Sequence, residues 1–232
     1  MSTPTRTIIT LGGGFSIDDD DLFDQYVFHH SDSKNPKVCF VGTASGDALS
    51  YIERFYTAME RFECTPSHLS LFDRSDDLRS TILDQDILYL GGGNTANLLA
   101  IWRLHNVDRY VREAYERGTV LCGISAGANT WFEGCSTDSF GSLRSLPDGL
   151  GFLKGSFCPH FNTENGRQEN YETAIREGEL PPGWALDDGA LARFTNEELS
   201  EVRNRGDEYG LYRVDHDGTH EPYPARAIHT QS

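Results

Sequence analysis

Ser125 stands in Gly123-Ile124-Ser125-Ala126-Gly127, a G-x-S-x-G spacing. That spacing suits a nucleophile on a sharp strand-to-helix turn. The turn strains the backbone at the serine, and side chains two residues away on either side would collide. Glycine at 123 and 127 removes the collision and leaves Oγ exposed at the carboxyl end of a strand. Residues 120–122 are apolar and strand-favouring, and a helical pattern is expected from Ala126 through Glu133. Free N–H groups and the positive end of such a helix would stabilise an oxyanion. The bland alternative is a glycine-rich turn that packs closely around an incidental serine. A phosphate at the helix start is a third option.

A serine hydroxyl needs a base, and the base needs an orienting acid. Eight histidines compete. His29 and His30 fall near a helix end, His68 in a strand and His105 at a helix C-terminus. His216, His220 and His229 lie in a polar tail. His160 follows an apolar strand and Pro159, which puts it at a strand end, and it comes after the serine in the chain, as in α/β hydrolases. The acid stays open on chemistry alone. Asp188, just before Gly189, sits at another apparent strand end, and Asp187, Glu133, Asp138 and Glu164 compete with it.

These groups need a scaffold that gathers strand ends. Strands are expected over 5–11, 37–42, 67–72, 86–90 and 120–122. Helices are expected over 18–30, 49–62 and 76–83, then around Leu98 to Trp102, where Asn94 or Thr95 can cap, and over 107–117. Strands that alternate with helices, several of them continuously apolar, predict a parallel sheet covered on both faces. Sites in such sheets lie at the carboxyl ends of the strands, where the glycine-rich turns at 12–14, 91–93 and 123–127 fall. The turn at 12–14 lacks the third glycine of a dinucleotide fingerprint. After Phe132 the pattern loosens. Residues 135–150 read as a loop with short strands, 156–161 as a strand and 164–177 as a polar helix. Residues 184–189 read as a strand and turn with 190–194 as its hairpin partner, and 209–214 as a late strand. The tail beyond Asp215 is expected to fray.

The chain's 232 residues are expected to form one domain, residues 1–232. With 36 acidic and 20 basic residues the formal charge is −16, which argues against nucleic-acid and anionic-membrane partners. No apolar run is long enough for a transmembrane helix, and the N-terminus lacks a signal-peptide pattern. Five cysteines without close pairs or a C-x-x-C spacing fit a reducing cytoplasm and suggest no metal centre.

Three motifs then stand in order: Gly91-Gly92-Gly93-Asn94-Thr95, Gly123-Ile124-Ser125-Ala126-Gly127-Ala128-Asn129 and Pro159-His160-Phe161. Together they resemble peptidase E, the aspartyl dipeptidase family of serine peptidases, over roughly residues 36 to 194. The resemblance implies a three-layer α/β/α sandwich with a mostly parallel sheet, like class I glutamine amidotransferases. It implies a triad with Ser125 as nucleophile and His160 as base. The family's third member is typically a glutamate directly before a glycine. Here the turn reads Leu186-Asp187-Asp188-Gly189, so Asp188 takes that place, one methylene shorter, and the turn must come closer. The implied oxyanion hole uses backbone N–H groups of Gly92, Gly93 and Ala126. Arg167 is the nearest match to the arginine that holds a substrate's N-terminal aspartate, with Asn94 as a further substrate-binding candidate.

The implied reaction is hydrolysis of short peptides, Asp-X dipeptides among them, through an acyl-enzyme on Ser125. No cofactor or metal is required, and self-association into a homodimer is left open. The alternative is an altered relative without Asp-X activity. Such a protein would act on another acyl substrate, as a cyanophycinase-like enzyme does, or would only bind an acidic peptide.

Overall fold

The computed structural model describes residues 4–72 and 77–229. Asp76, the expected start of the third helix, lies outside them. In the first half, β1 (Thr7–Leu11), α1 (Leu22–Phe28), β2 (Lys37–Val41), α2 (Leu49–Met59), β3 (Thr65–Leu69) and α3 (Leu78–Leu83) alternate. They continue into β4 (Ile87–Leu90), α4 (Thr95–His105), α5 (Val107–Glu116) and β5 (Val120–Ile124).

The first five strands lie side by side in the order β1-β5-β4-β2-β3, all parallel. They read as continuous apolar runs because both faces are covered. On one face Phe23 of α1 and Ile52 and Phe55 of α2 pack against Ile9, Phe40 and Tyr89. On the other, Leu98 and Trp102 of α4 and Val111 and Tyr115 of α5 pack against Ile8, Leu88 and Leu121. Each such buried side chain contributes about 1.5–3 kcal/mol of transfer free energy. The register aligns the strand ends: Leu11 pairs with Ile124, Leu90 with Gly123 and Val41 with Leu90. Gly12, Gly91 and Ser125 therefore leave the sheet at one edge.

The second half is richer in strands than the sequence suggests. It holds α6 (Ala126–Asn129), β6 (Phe132–Phe140), β7 (Ser142–Leu146), β8 (Leu153–Cys158), α7 (Arg167–Arg176) and β9 (Gly183–Leu186). Then come β10 (Ala190–Thr195), β11 (Glu198–Asn204), β12 (Leu211–Val214), β13 (His220–Pro222) and β14 (Arg226–Ala227). A second sheet runs β13-β12-β9-β8-β6-β7, while β10, β11 and β14 extend the first sheet beyond β1. Of the eight strands in the first sheet only β10 runs against the rest, so the sheet is mostly parallel, with helices on both faces as expected. α7 covers the second sheet through Tyr171, Ala174 and Ile175, which meet Cys158, Ala185 and Val214.

Several expectations are corrected. The helix after Ser125 lasts one turn, because Phe132 starts β6 and stacks on Phe157 with ring centroids 4.7 Å apart. The short strands expected within 135–150 are present, but they pair as the β6–β7 hairpin, which leaves less loop than expected. β10 is not the hairpin partner of β9: it crosses to the first sheet and pairs with β1. β3 lies two residues earlier than expected, and α1 is shorter. β11 was not anticipated. The tail does not fray over its described length, because β13 pairs with β12 and β14 with β11.

A buried carboxyl underlies the turn after β1. Asp24 on α1 is 1 % exposed and its Oδ1 accepts the Tyr89 hydroxyl at 2.8 Å. Burial is the main reason its pKa rises to about 7, against the opposing hydrogen bonds of Tyr89 and the Phe15 backbone. Between the unfolded value near 3.8 and about 7, the folded chain keeps a proton that the unfolded chain has released. Stability should therefore fall as pH rises through that window, by a few kcal/mol in all. Asp24→Asn should flatten this slope, which urea midpoints from pH 4.5 to 8 would measure. An unchanged slope in the variant would reject the assignment.

Candidate active site

Ser125 sits between β5 and α6 at φ 53° and ψ −113°, a region that costs a non-glycine residue about 1–3 kcal/mol. The flanking glycines allow the turn. A β-carbon on Gly123 would overlap the backbone of Gly127, and one on Gly127 would come within 2.6 Å of the Leu90 carbonyl oxygen. The turn after β4 lies against the serine: a β-carbon at Gly92 would come within 3.3 Å of Ser125 Cβ.

That turn departs from the expected oxyanion hole in one respect. The Gly92 N–H donates to the Tyr51 hydroxyl at 3.1 Å, so it is not free for an oxyanion. Among the described residues the N–H groups of Gly93 and Ala126 have no partner. Tyr51 in turn donates to Ser16 Oγ at 3.1 Å. The tyrosine thus fixes the Gly91–Gly92 peptide, next to the one that carries the Gly93 N–H. Tyr51→Phe should lower kcat about tenfold with KM nearly unchanged, as loss of one hydrogen bond to the turn predicts. A rise in KM with kcat intact, in steady-state kinetics, would contradict this role.

The second sheet brings up a histidine and an aspartate. β8 and β9 are parallel, Cys158 pairs with Ala185, and the loops beyond both leave the sheet side by side. The Phe161 N–H donates to the Leu186 carbonyl at 3.1 Å and ties the two loops together. His160, at φ 57°, donates from Nδ1 to Asp188 Oδ1 at 2.7 Å. The Thr163 hydroxyl donates to Asp188 Oδ2 at 2.6 Å, and the Asp188 N–H donates to Asn162 Oδ1 at 2.9 Å. Burial alone would raise the Asp188 pKa, but the His160 and Thr163 hydrogen bonds and the charges of His160 and Arg167 hold it below the usual carboxylate value. An ionised Asp188 keeps the proton on Nδ1 and leaves Nε2 as an acceptor. Sequence reasoning missed Asn162 and Thr163; a short amide and hydroxyl one turn after the histidine were the available signal.

The other acids point elsewhere. Asp187 Oδ2 accepts the Gly210 N–H at 3.0 Å and the Tyr212 hydroxyl at 3.1 Å, and burial raises its pKa. Glu133 pairs with Lys154 at 2.7 Å, and Asp138 is exposed near the β6–β7 tip. Glu164 is bound to Arg167. Asn94 caps α4 by accepting the Asn97 N–H at 2.8 Å and donates to the Ser139 carbonyl at 2.8 Å. Both ends of its amide are therefore engaged in structure.

Gly12 joins the two loops to the serine's sheet. The Gly189 N–H donates to the Gly12 carbonyl at 2.6 Å, and the Gly12 N–H donates to the Ala190 carbonyl at 2.8 Å. A β-carbon on Gly12 would overlap the Asp187 carbonyl oxygen. The Asp187-Asp188 turn is thus stitched to β1, the neighbour of the strand that ends in Ser125. No hydrogen bond among the described residues joins Ser125 Oγ to His160. A cleft of about 600 Å³ lined by Phe15, Asp24, Glu53, Arg54 and Phe62 opens between α1 and α2, and none of the residues just described except Asp24 lines it.

The pattern of peptidase family S51 matches residues 8–202. The chain is 45% identical over 229 residues to YgaJ, an uncharacterized peptidase of Bacillus subtilis (strain 168), covering 96% of this chain and 99% of that one. It is 30% identical over 141 residues to the peptidase E of Shewanella denitrificans (strain OS217), covering 57% of this chain and 60% of that one. A crystal structure of a peptidase from an acI-B1 Actinobacterium has the same fold. Its TM-score is 0.68 at 15% identity, with 94% of this chain and 97% of that one covered.

Proposed function

The chain belongs to peptidase family S51, and we propose that it is a serine peptidase of the peptidase E type that hydrolyses short peptides through an acyl-enzyme. The observation that carries this reading is the strained Ser125 at the start of α6, set at the sheet edge to which the His160–Asp188 pair is stitched. In this mechanism His160 Nε2 takes the Ser125 proton as Oγ attacks the scissile carbonyl. Substrate would draw the two groups within reach, since such hydrogen bonds often tighten only in the complex. The N–H groups of Gly93 and Ala126 stabilise the oxyanion. His160 then passes the proton to the leaving amine, and water hydrolyses the acyl-enzyme by the reverse of these steps. Asp188 holds the imidazole tautomer and stabilises its charged form.

Asp-X specificity is the less favoured part of the inherited activity. Arg167, its expected anchor, is 3 % exposed, and both Nε and Nη2 donate to Glu164 Oε2. A substrate carboxylate would have to displace that partner. All five cysteines are free and four are buried, which supports action in the cytoplasm. Among the described residues no helix is long and apolar enough to cross a membrane.

The test is hydrolysis of Asp-Leu, Glu-Leu, Ala-Leu and Leu-Leu, with Ser125→Ala as control. Cleavage of neutral dipeptides at least as fast as Asp-Leu, lost in the variant, is expected. Cleavage confined to Asp-Leu would restore the inherited specificity, and cleavage that survives in the variant would reject Ser125 as nucleophile.

A further inference from the structure

The turn that carries Asp188 is held from outside on both peptide groups of Gly189. The Gly189 N–H donates to the Gly12 carbonyl at 2.6 Å, and the Gly189 carbonyl accepts the Arg205 N–H at 2.9 Å. Gly189 has φ 92°, and a β-carbon there would come within 2.8 Å of the Tyr209 ring. Backbone bonds, not a side chain at 189, therefore set the place of the turn.

Arg205 stands just beyond β11, and its side chain returns to the loop that follows β1. Nη2 donates to Asp18 Oδ2 at 2.7 Å and to Asp20 Oδ1 at 2.8 Å, and Nη1 donates to Asp20 Oδ2. Asp18 Oδ2 also accepts the Gly14 N–H at 2.5 Å. These bonds close a ring. It runs from Gly12 to Gly189, on to Arg205 and Asp18, and back to Gly14, two residues from where it began. The same loop borders the serine's strand, since a β-carbon on Gly14 would come within 3.4 Å of Ile124 Cδ1. The Arg205 and Asp18 side chains are mostly buried, 19 % and 15 % exposed. The guanidinium lies over the Phe23 ring, 4.4 Å from its centroid, and Nε has no partner among the described residues. Asp18 and Asp20 thus supply the counter-charge that holds this cation in place.

We infer that Arg205 is a positioning residue: through the ring it closes with Asp18, it fixes the acid turn where Asp188 can orient His160. The inference rests on the serine-peptidase reading and adds a residue to its machinery. The bonds of Arg205 run to Gly189, Asp18 and Asp20, so its effect on the reaction passes through Asp188. Without the guanidinium the charge-assisted bonds are lost and a largely buried carboxylate is left uncompensated. The turn can then shift, and a fraction of an ångström is enough to loosen the 2.7 Å bond between Asp188 and His160.

The experiment measures the rate and the extent of Ser125 labelling by a fluorophosphonate probe. Arg205→Gln should slow labelling of the reactive sites about 10- to 30-fold. Arg205→Lys, which keeps a charge beside Asp18, should slow it by less than about fivefold. In an Asp188→Asn background, Arg205→Gln should change the rate by less than about twofold, because the group it acts through is already lost. A merely structural role would lower the extent of labelling and leave the rate of the remaining sites unchanged. That result, or equal slowing with and without the Asp188 carboxylate, would overturn the inference alone. If Arg205→Gln yields no labelled protein, the milder Asp18→Asn decides: slowing that depends on Asp188 is expected, and a wild-type rate would overturn the inference. Failure of the wild-type chain to label at Ser125 would overturn the serine-peptidase reading and this inference with it.

Discussion

Ser125→Ala is expected to lower kcat on the best dipeptide by about 10⁴- to 10⁶-fold, and His160→Ala by a similar factor. The double variant should be no worse than the more damaged single one, because in the proposed mechanism the two groups act in one proton-coupled attack. Neither change should unfold the protein. Alanine at 125 keeps the β-carbon that meets the Gly92 turn, and it inherits the same φ of 53°. Ser125→Gly separates strain from chemistry. It should be as inactive, yet about 1 kcal/mol more stable, since glycine occupies that backbone region without penalty. Steady-state kinetics and urea midpoints on the same samples check both halves. Multiplicative losses in the double variant would mean that serine and histidine do not share a step. A destabilised Ser125→Gly would mean that the elbow is not strained.

The elbow was readable in the sequence because its demands are local. Gly123 and Gly127 are required by contacts within a few residues and with one neighbouring carbonyl, Leu90. The parallel half of the first sheet was readable for a related reason: strands buried on both faces leave continuous apolar runs. The second half was harder. β11 mixes Glu198, Glu201 and Arg203 with Leu199 and Val202, and its pairing with β10 is set by the long-range course of the chain. The mistaken β9–β10 hairpin has the same origin. Asp187-Asp188-Gly189 reads as a tight turn, yet the Gly189 N–H and the carbonyl of the next residue, Ala190, bond Gly12 at the far end of the sequence. Oxyanion donors were only partly legible, since the hydroxyl that occupies the Gly92 N–H belongs to Tyr51 on a distant helix. The resemblance makes Arg167 a substrate anchor, and its burial against Ser136 and Glu164 does not fit that role without change.

Asp188→Asn should cost about 10³- to 10⁴-fold in kcat. The carboxylate accepts a hydrogen bond from the His160 Nδ1–H; an amide nitrogen turned toward the ring would donate to Nδ1 instead and put the ring proton on Nε2, where it blocks the base. The same substitution carries a stability signature of definite sign. Asp188 is held below its ordinary pKa, so its ionised form adds stability above the unfolded value near 3.8 that is lost as pH falls through the folded value. Asp188→Asn should therefore flatten the acid limb of the stability curve, opposite in window and direction to Asp24→Asn. Restoring the family's glutamate should not help. Oδ1 and Oδ2 already lie 2.7 and 2.6 Å from His160 and Thr163, and the turn is held by the 2.6 Å bond from Gly189 to Gly12. An added methylene has room only if that turn retreats, which Gly12→Ala would force by its clash with the Asp187 carbonyl. Asp188→Glu should accordingly lose about 10- to 100-fold in kcat on its own, through misplacement of the ring. Asp187→Asn tests the neighbouring carboxyl. It should loosen β12 at Gly210 and Tyr212 while kcat stays within severalfold of wild type. If Asp187→Asn proves the more damaging to kcat of the two asparagine variants, the acid was assigned one residue too late. The tight Gly12 contact would then serve packing of the turn rather than orientation of the base.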